Sequence, residues 1–225
     1  MTVVENYLKI RSNIQKHCEE IKRNPDEISV LIVSKTQPVE KIQALYDFGI
    51  RDFGENKVQE LMEKAPLLPS DIKWHLIGHL QTNKVKYIAS FIHLIHSVDR
   101  DSLADEIQKQ AEKSGTNVNV LLQMRVAQEE TKFGCEPQKM KELLTFISAK
   151  KNLKVCGCMT MASFTENQEQ LNTEYSRFFQ YIPEVIKQNP TSIYSAGMTG
   201  DYLTAISNGA NLVRIGTAIF GERIY

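Results

Sequence analysis

Apolar residues fall along this chain in short dense runs, separated by longer stretches in which they recur at helical spacing. The runs at 29–34 (SVLIVS), 51–55, 73–78, 92–97, 118–126, 153–159, 192–197 and 211–216 read as strands. Between them, 39–48, 57–64, 83–89, 102–113, 137–150, 168–187 and 199–208 carry the helical period, and an amphipathic helix opens the chain in MTVVENYLKIRSNIQKHCEE. Ser114-Gly115 and Asn208-Gly209 supply the punctuation that closes two of these helices.

The eight strand ends between residues 35 and 216 lie about 26 residues apart, which holds one strand, one helix and two short loops. Several runs are continuously apolar, as parallel strands covered on both faces must be. The pattern predicts an α/β fold, a single (β/α)8 TIM-type barrel domain over residues 1–225. The alternative is an open doubly wound sheet, which usually carries a G-x-G-x-x-G turn after its first strand. VSKTQP, at 33–38, is no such turn.

Composition narrows the picture further. With 225 residues, 42% of them hydrophobic, the chain suits one substantial core. Lys+Arg and Asp+Glu both number 27, so no charge surplus draws it to nucleic acid or an anionic membrane. The first residues lack the apolar core of a signal peptide or a membrane span. Four cysteines without a C-x-x-C pair point to reduced thiols and a cytoplasmic protein.

In a barrel of this type the chemistry gathers at the C-terminal ends of the strands. Lys35, Glu55, Asn56, His79, Arg125, Met161 and Thr199 occupy such places, and Arg214 lies inside the last strand, where a buried guanidinium needs a fixed partner. After the last two strands, SAGMTGD and LVRIGTAIFGER bring the Thr199 hydroxyl and the small residues Gly216, Thr217 and Ala218, a combination suited to a phosphate. Each has an ordinary reading too, Thr199 as a helix cap and Gly216 as a turn. Asp201 would repel an anion unless it turns away. Lys35 follows buried strand residues, where poor solvation favours the neutral amine that condenses with an aldehyde. Such a lysine facing a phosphate cup suits pyridoxal 5′-phosphate (PLP), whose aldehyde and phosphate are separate handles on one ring. The alternative is a lysine paired with a barrel carboxylate such as Glu55.

Five motifs in order, VSKTQP, GENKVQE (54–60), WHLIGHLQTNK (74–84), GMTGD (197–201) and VRIGTAIFGER (213–223), resemble those of the pyridoxal phosphate homeostasis proteins. That family is similar to the N-terminal barrel of alanine racemase, and the resemblance runs from the first helix to the C-terminus. It implies that Lys35 holds PLP as a Schiff base, that Arg214 faces the pyridine nitrogen, and that Thr199, Gly216 and Thr217 bind the phosphate. It further implies that Asn56 lines the ring pocket, that Lys132 of ETKFG lies near the ring hydroxyl, and that Met161 of CMTMAS stands where the racemase has a stacking histidine. Thr199 replaces a serine common in the family, and the hydroxyl survives.

An arginine at the pyridine nitrogen leaves it unprotonated and weakens the ring as an electron sink. Alanine racemase also takes a second base from a separate domain, for which this chain leaves no segment. The expectation is therefore a monomeric carrier and regulator in intracellular vitamin B6 homeostasis, passing PLP to apo-enzymes, without robust turnover. A slow amino-acid racemase and a Schiff-base aldolase acting on a sugar phosphate are the alternatives. His75, His79, His93 and His96 lie in strands and loops, where spacings of three and four do not join side chains, and no carboxylate motif completes a set, so no metal is expected. Cys156 and Cys158 are expected on one side of their strand, as packing residues.

Overall fold

The structure is a computed structural model in which residues 1–127 and 133–221 are described. Every predicted strand is present: β1 (Ser29–Val33), β2 (Asp52–Glu55), β3 (Lys73–Leu76), β4 (Leu94–Val98), β5 (Val118–Met124), β6 (Leu153–Thr160), β7 (Ile193–Ser195) and β8 (Leu212–Ile215). Each pairs in parallel with the next, and β8 returns to β1 through Leu31↔Arg214 and Ile32↔Ile215, so the sheet closes as a barrel. Closure excludes the open doubly wound sheet.

The helices form the outer layer: α1 (Val3–Glu20), α2 (Val39–Asp47), α3 (Val58–Lys64), α4 (Asp101–Ser114), α5 (Met140–Ser148), α6 (Gln168–Tyr181), α7 (Glu184–Lys187), α8 (Tyr202–Ser207) and α9 (Thr217–Phe220). α1 opens with a full capping box between Thr2 and Glu5, and α4 closes on Gly115 in the left-handed conformation. Three helical expectations are modified. Residues 82–87 wind as a 3-10 helix, and 137–139 form a 3-10 turn ahead of α5. The stretch 168–187 divides at Ile182-Pro183, because proline lacks an amide hydrogen and drives the preceding residue to extended backbone.

Strand alternation sorts the side chains into two regions. Ile32, Phe53, Trp74, Ile95, Leu122, Cys158, Val213 and Ile215 face outward into the main core beneath the helices. Inside the barrel are two small apolar groups, Leu31, Val33, Ile77 and Leu212 on one side and Leu94, Leu121 and Met159 on the other. Cys156 and Cys158 do not share a face, contrary to the strand pattern: Cys156 packs on the interior group and Cys158 in the outer core. The β5/β6 register slips between Val120 and Leu121, and this bulge adds one residue to β6. Gly157 makes it possible, with φ 147° and a backbone so close to β7 that a Cβ would lie 2.0 Å from the Ile193 carbonyl oxygen.

Candidate functional site at the mouth of the barrel

Lys35 stands two residues beyond β1 in a turn and is half-buried, more accessible than a strand-end lysine was expected to be. Thr36 beside it has φ 64°, an uncommon conformation for a β-branched residue and one found where the surroundings dictate the backbone. Those surroundings are identifiable. The Thr36 amide donates to Glu60, the Gln37 amide to the Ser34 carbonyl (3.0 Å), and Lys64 Nζ to the same carbonyl (2.7 Å). Lys64 also pairs with Glu55 at 2.9 Å and Glu60 at 2.6 Å, and the Ser34 hydroxyl donates to Glu55 at 2.7 Å. A buried ionic cluster carried by β2 and α3 thus fixes the turn that carries Lys35. Desolvation raises the Glu55 carboxyl above its ordinary pKa, against the opposing pull of Lys64 and Ser34. The i,i+4 spacing of Glu60 and Lys64 within α3 is an ordinary helix-surface pair, and nothing in it singled out Lys64, because Glu55 and the Ser34 carbonyl come from separate elements.

Asn56 directly follows β2 and is half-buried, and Gly78 after β3 presses against it, since a Cβ there would meet the Asn56 carbonyl oxygen at 2.2 Å. Met161, directly after β6, packs on the interior group of Leu94, Leu121 and Met159. Lys132 lies outside the described residues. Arg125 pairs with Glu136 at 3.7 Å. His79 stacks on Phe133 with ring centroids 3.8 Å apart.

The last two loops meet. The Ala218 amide points to Thr199 Oγ1 at 3.5 Å, and Gly216 passes so near β1 that a Cβ would lie 3.1 Å from the Val33 carbonyl oxygen. Thr199 and Gly216 are half-buried and Thr217 is exposed. Asp201 does not face this cup. One of its oxygens accepts from the Met198 amide at 2.6 Å and the other from the buried Tyr175 hydroxyl at 2.5 Å, which removes the expected repulsion.

Arg214, only 3% exposed, has the fixed partners its burial demands. It donates to Ser195 Oγ at 2.7 Å and to the Thr160 carbonyl at 2.9 Å. Burial pulls its pKa below the ordinary arginine value, opposed by Tyr175 and Asp201. Ser195 Oγ lies 3.1 Å from His96 Nδ1, His96 Nε2 lies 2.9 Å from His75 Nδ1, and His75 Nε2 lies 3.1 Å from Asp52 Oδ1. A polar column therefore runs between the two apolar groups, from Arg214 to the opposite end of the barrel. Sequence reading found Arg214 and missed the column, although His75, His96 and Ser195 each interrupt an apolar strand.

Fold and site together define an alanine racemase N-terminal type barrel. The family model for "Alanine racemase, N-terminal domain" matches residues 7–224. A pyridoxal phosphate homeostasis protein of Aquifex aeolicus is 41% identical over the whole of both chains, and one of Schizosaccharomyces pombe is 36% identical over 95% of this chain and 90% of its own. The structure of PipY from Synechococcus elongatus with PLP bound superposes with TM-score 0.82 at 28% identity, covering 98% of this chain and 100% of that one. An alanine racemase of Clostridium difficile, 14% identical, shares the fold with TM-score 0.75 over 95% of this chain and 58% of its own. The chain belongs to the alanine racemase N-terminal domain family and, within it, to the pyridoxal phosphate homeostasis proteins.

Proposed function

We propose that this protein binds PLP at the C-terminal mouth of the barrel and serves intracellular PLP homeostasis, the whole of residues 1–225 acting as one domain. The carrying observation is that a lysine-bearing turn, a hydroxyl–amide cup and a buried arginine sit on neighbouring strands, since β1 pairs with β8 and β8 with β7. A phosphate, an aldehyde and a ring nitrogen need such a set of partners. The close approach of Gly216 to β1 leaves the cup free of any side chain at that position.

In this reading Lys35 holds the aldehyde covalently and Thr199, Gly216 and Thr217 hold the phosphate. Arg214 meets the ring nitrogen, while Asn56, Met161 and Lys132 line the ring. Bound PLP supplies an electrophilic carbonyl and an electron-withdrawing ring. The chain's own contribution is positional: the Glu55–Lys64–Glu60 cluster fixes the Lys35 turn, and Ser195 with Thr160 fixes Arg214. A permanently cationic donor at the ring nitrogen withholds a proton from it, which disfavours turnover and favours storage. The protein accordingly acts as a cytoplasmic monomer that limits free PLP and supplies apo-enzymes. No described helix is long and apolar enough to cross a membrane, and the four cysteines are free thiols, both compatible with that compartment.

The test is the absorbance spectrum of the purified protein and of Lys35→Ala, before and after borohydride. A yellow band that borohydride abolishes, with a mass adduct on Lys35, is expected. If no band forms even after PLP is added, the reading falls. Rapid exchange of an amino acid's α-hydrogen by the loaded protein would replace storage with catalysis.

A further inference from the structure

The lower end of the barrel, opposite the PLP mouth, carries a group that the function above does not use. Asp52 opens β2, His75 lies in β3 and His93 directly precedes β4. One ligand atom from each, the carboxylate oxygen and two imidazole nitrogens, lies within 4.8 Å of the others. The sequence reading paired histidines along single strands and found no carboxylate to complete a set. The parallel register overturns this, because it lays Gly54 beside His75 and His75 beside Leu94, so neighbouring strands supply all three donors.

We propose that Asp52, His75 and His93 form a binding site for a divalent transition-metal ion of the zinc class. Two imidazoles and one carboxylate are a donor set that zinc accepts, with bonds of about 2.0–2.2 Å and a fourth position left for water or a small ligand. Donors in a tetrahedral zinc site stand roughly 3.4 Å apart, so small side-chain rotations close the set. His75 Nε2 and Asp52 Oδ1 already lie at 3.1 Å.

Two further observations point to an ion. Metal-bound imidazole commonly gives its second N–H to a fixed acceptor, which sets the tautomer and orients the ring. His75 Nδ1 lies 2.9 Å from His96 Nε2, and His96 is itself held by Ser195. Without an ion the Asp52 contact holds the proton on His75 Nε2; an ion that takes its place shifts the tautomer, so that His75 Nδ1–H donates to His96 Nε2, His96 Nδ1–H donates to Ser195 Oγ, and the His75 Nε2 lone pair is directed at the site. The site also has an entry path, since all three residues line a cavity of about 680 Å³ shared with Ser29, Lys73 and Asn211. Lys73 opposes a cation there, but it is exposed and its charge is screened by solvent. Arg51, on the same cavity, is engaged by Asp71 at 2.8 Å.

The inference is independent of PLP and is tested on the full chain with and without it. Isothermal titration with zinc chloride in a non-chelating buffer is expected to show one ion per chain. His93→Ala and Asp52→Asn should each weaken binding by at least about ten-fold, whereas His17→Ala, on α1, leaves it unchanged. Cobalt(II) substitution adds a second readout, a ligand-field band from nitrogen and oxygen donors that both variants lose. Circular dichroism checks that each variant folds, and if one does not, the other decides. No binding by the wild-type chain, or wild-type affinity in a folded variant, overturns the site.

Discussion

Arg214 on β8 and Ser195 on β7 are joined by a 2.7 Å hydrogen bond inside the barrel, and Ser195 in turn lies 3.1 Å from His96 on β4. One hydroxyl thus stands between a buried cation and a buried imidazole. Arginine only donates, so in the ion-free protein the Ser195 hydroxyl hydrogen is available to His96.

Removing that hydroxyl leaves donors and acceptors without partners where water does not compensate them. Ser195→Ala is expected to lower unfolding free energy by about 1–3 kcal/mol, measured by urea denaturation. A loss below a few tenths of a kcal/mol would mean the column rearranges around the gap.

His96 is fully buried, and its pKa is held well below the ordinary value by burial first, then by the charges of His75 and Arg214. The unfolded chain binds a proton below about pH 6.5 that the folded chain refuses. Stability from this residue is complete above that pH and is lost as pH falls towards the depressed folded value. The expected slope is about 1.4 kcal/mol per pH unit for one proton. Urea midpoints between pH 7 and 5, with chelator present, should show it, and His96→Asn should flatten the profile.

Lys64 is the only cation that the described ion pairs join to Glu55. Lys64→Met strands that carboxylate in the interior and frees the Lys35 turn. The expected cost is about 3–5 kcal/mol of stability, together with weaker PLP retention in dialysis. Retention equal to wild type in a folded variant would remove the cluster from the account of the site.

Gly157→Ala places a methyl 2.0 Å from the Ile193 carbonyl oxygen at φ 147°. β6 and β7 must then separate, and a loss of at least about 3 kcal/mol, or insoluble protein, is expected. Thermal unfolding of the purified variant measures it, and a wild-type midpoint would show that the bulge is dispensable.

What the sequence by itself determined is whatever rests on periodicity and local chemistry. All eight strands, the closure signals at Gly115 and Gly209 and the need of Arg214 for a partner are written into neighbouring residues, because strand and helix periods and left-handed turns are short-range properties. The positions after strand ends were legible for the same reason. Tertiary structure alone decided the rest. The half-exposed turn of Lys35, its bracing by Lys64, the opposite faces of Cys156 and Cys158, and the Asp52–His75–His93 group depend on which strands lie side by side and where one bulge shifts the register. Hydrogen bonds and metal ligation act over a few ångströms of space, and barrel closure brings within that distance residues that the chain keeps tens to over a hundred positions apart.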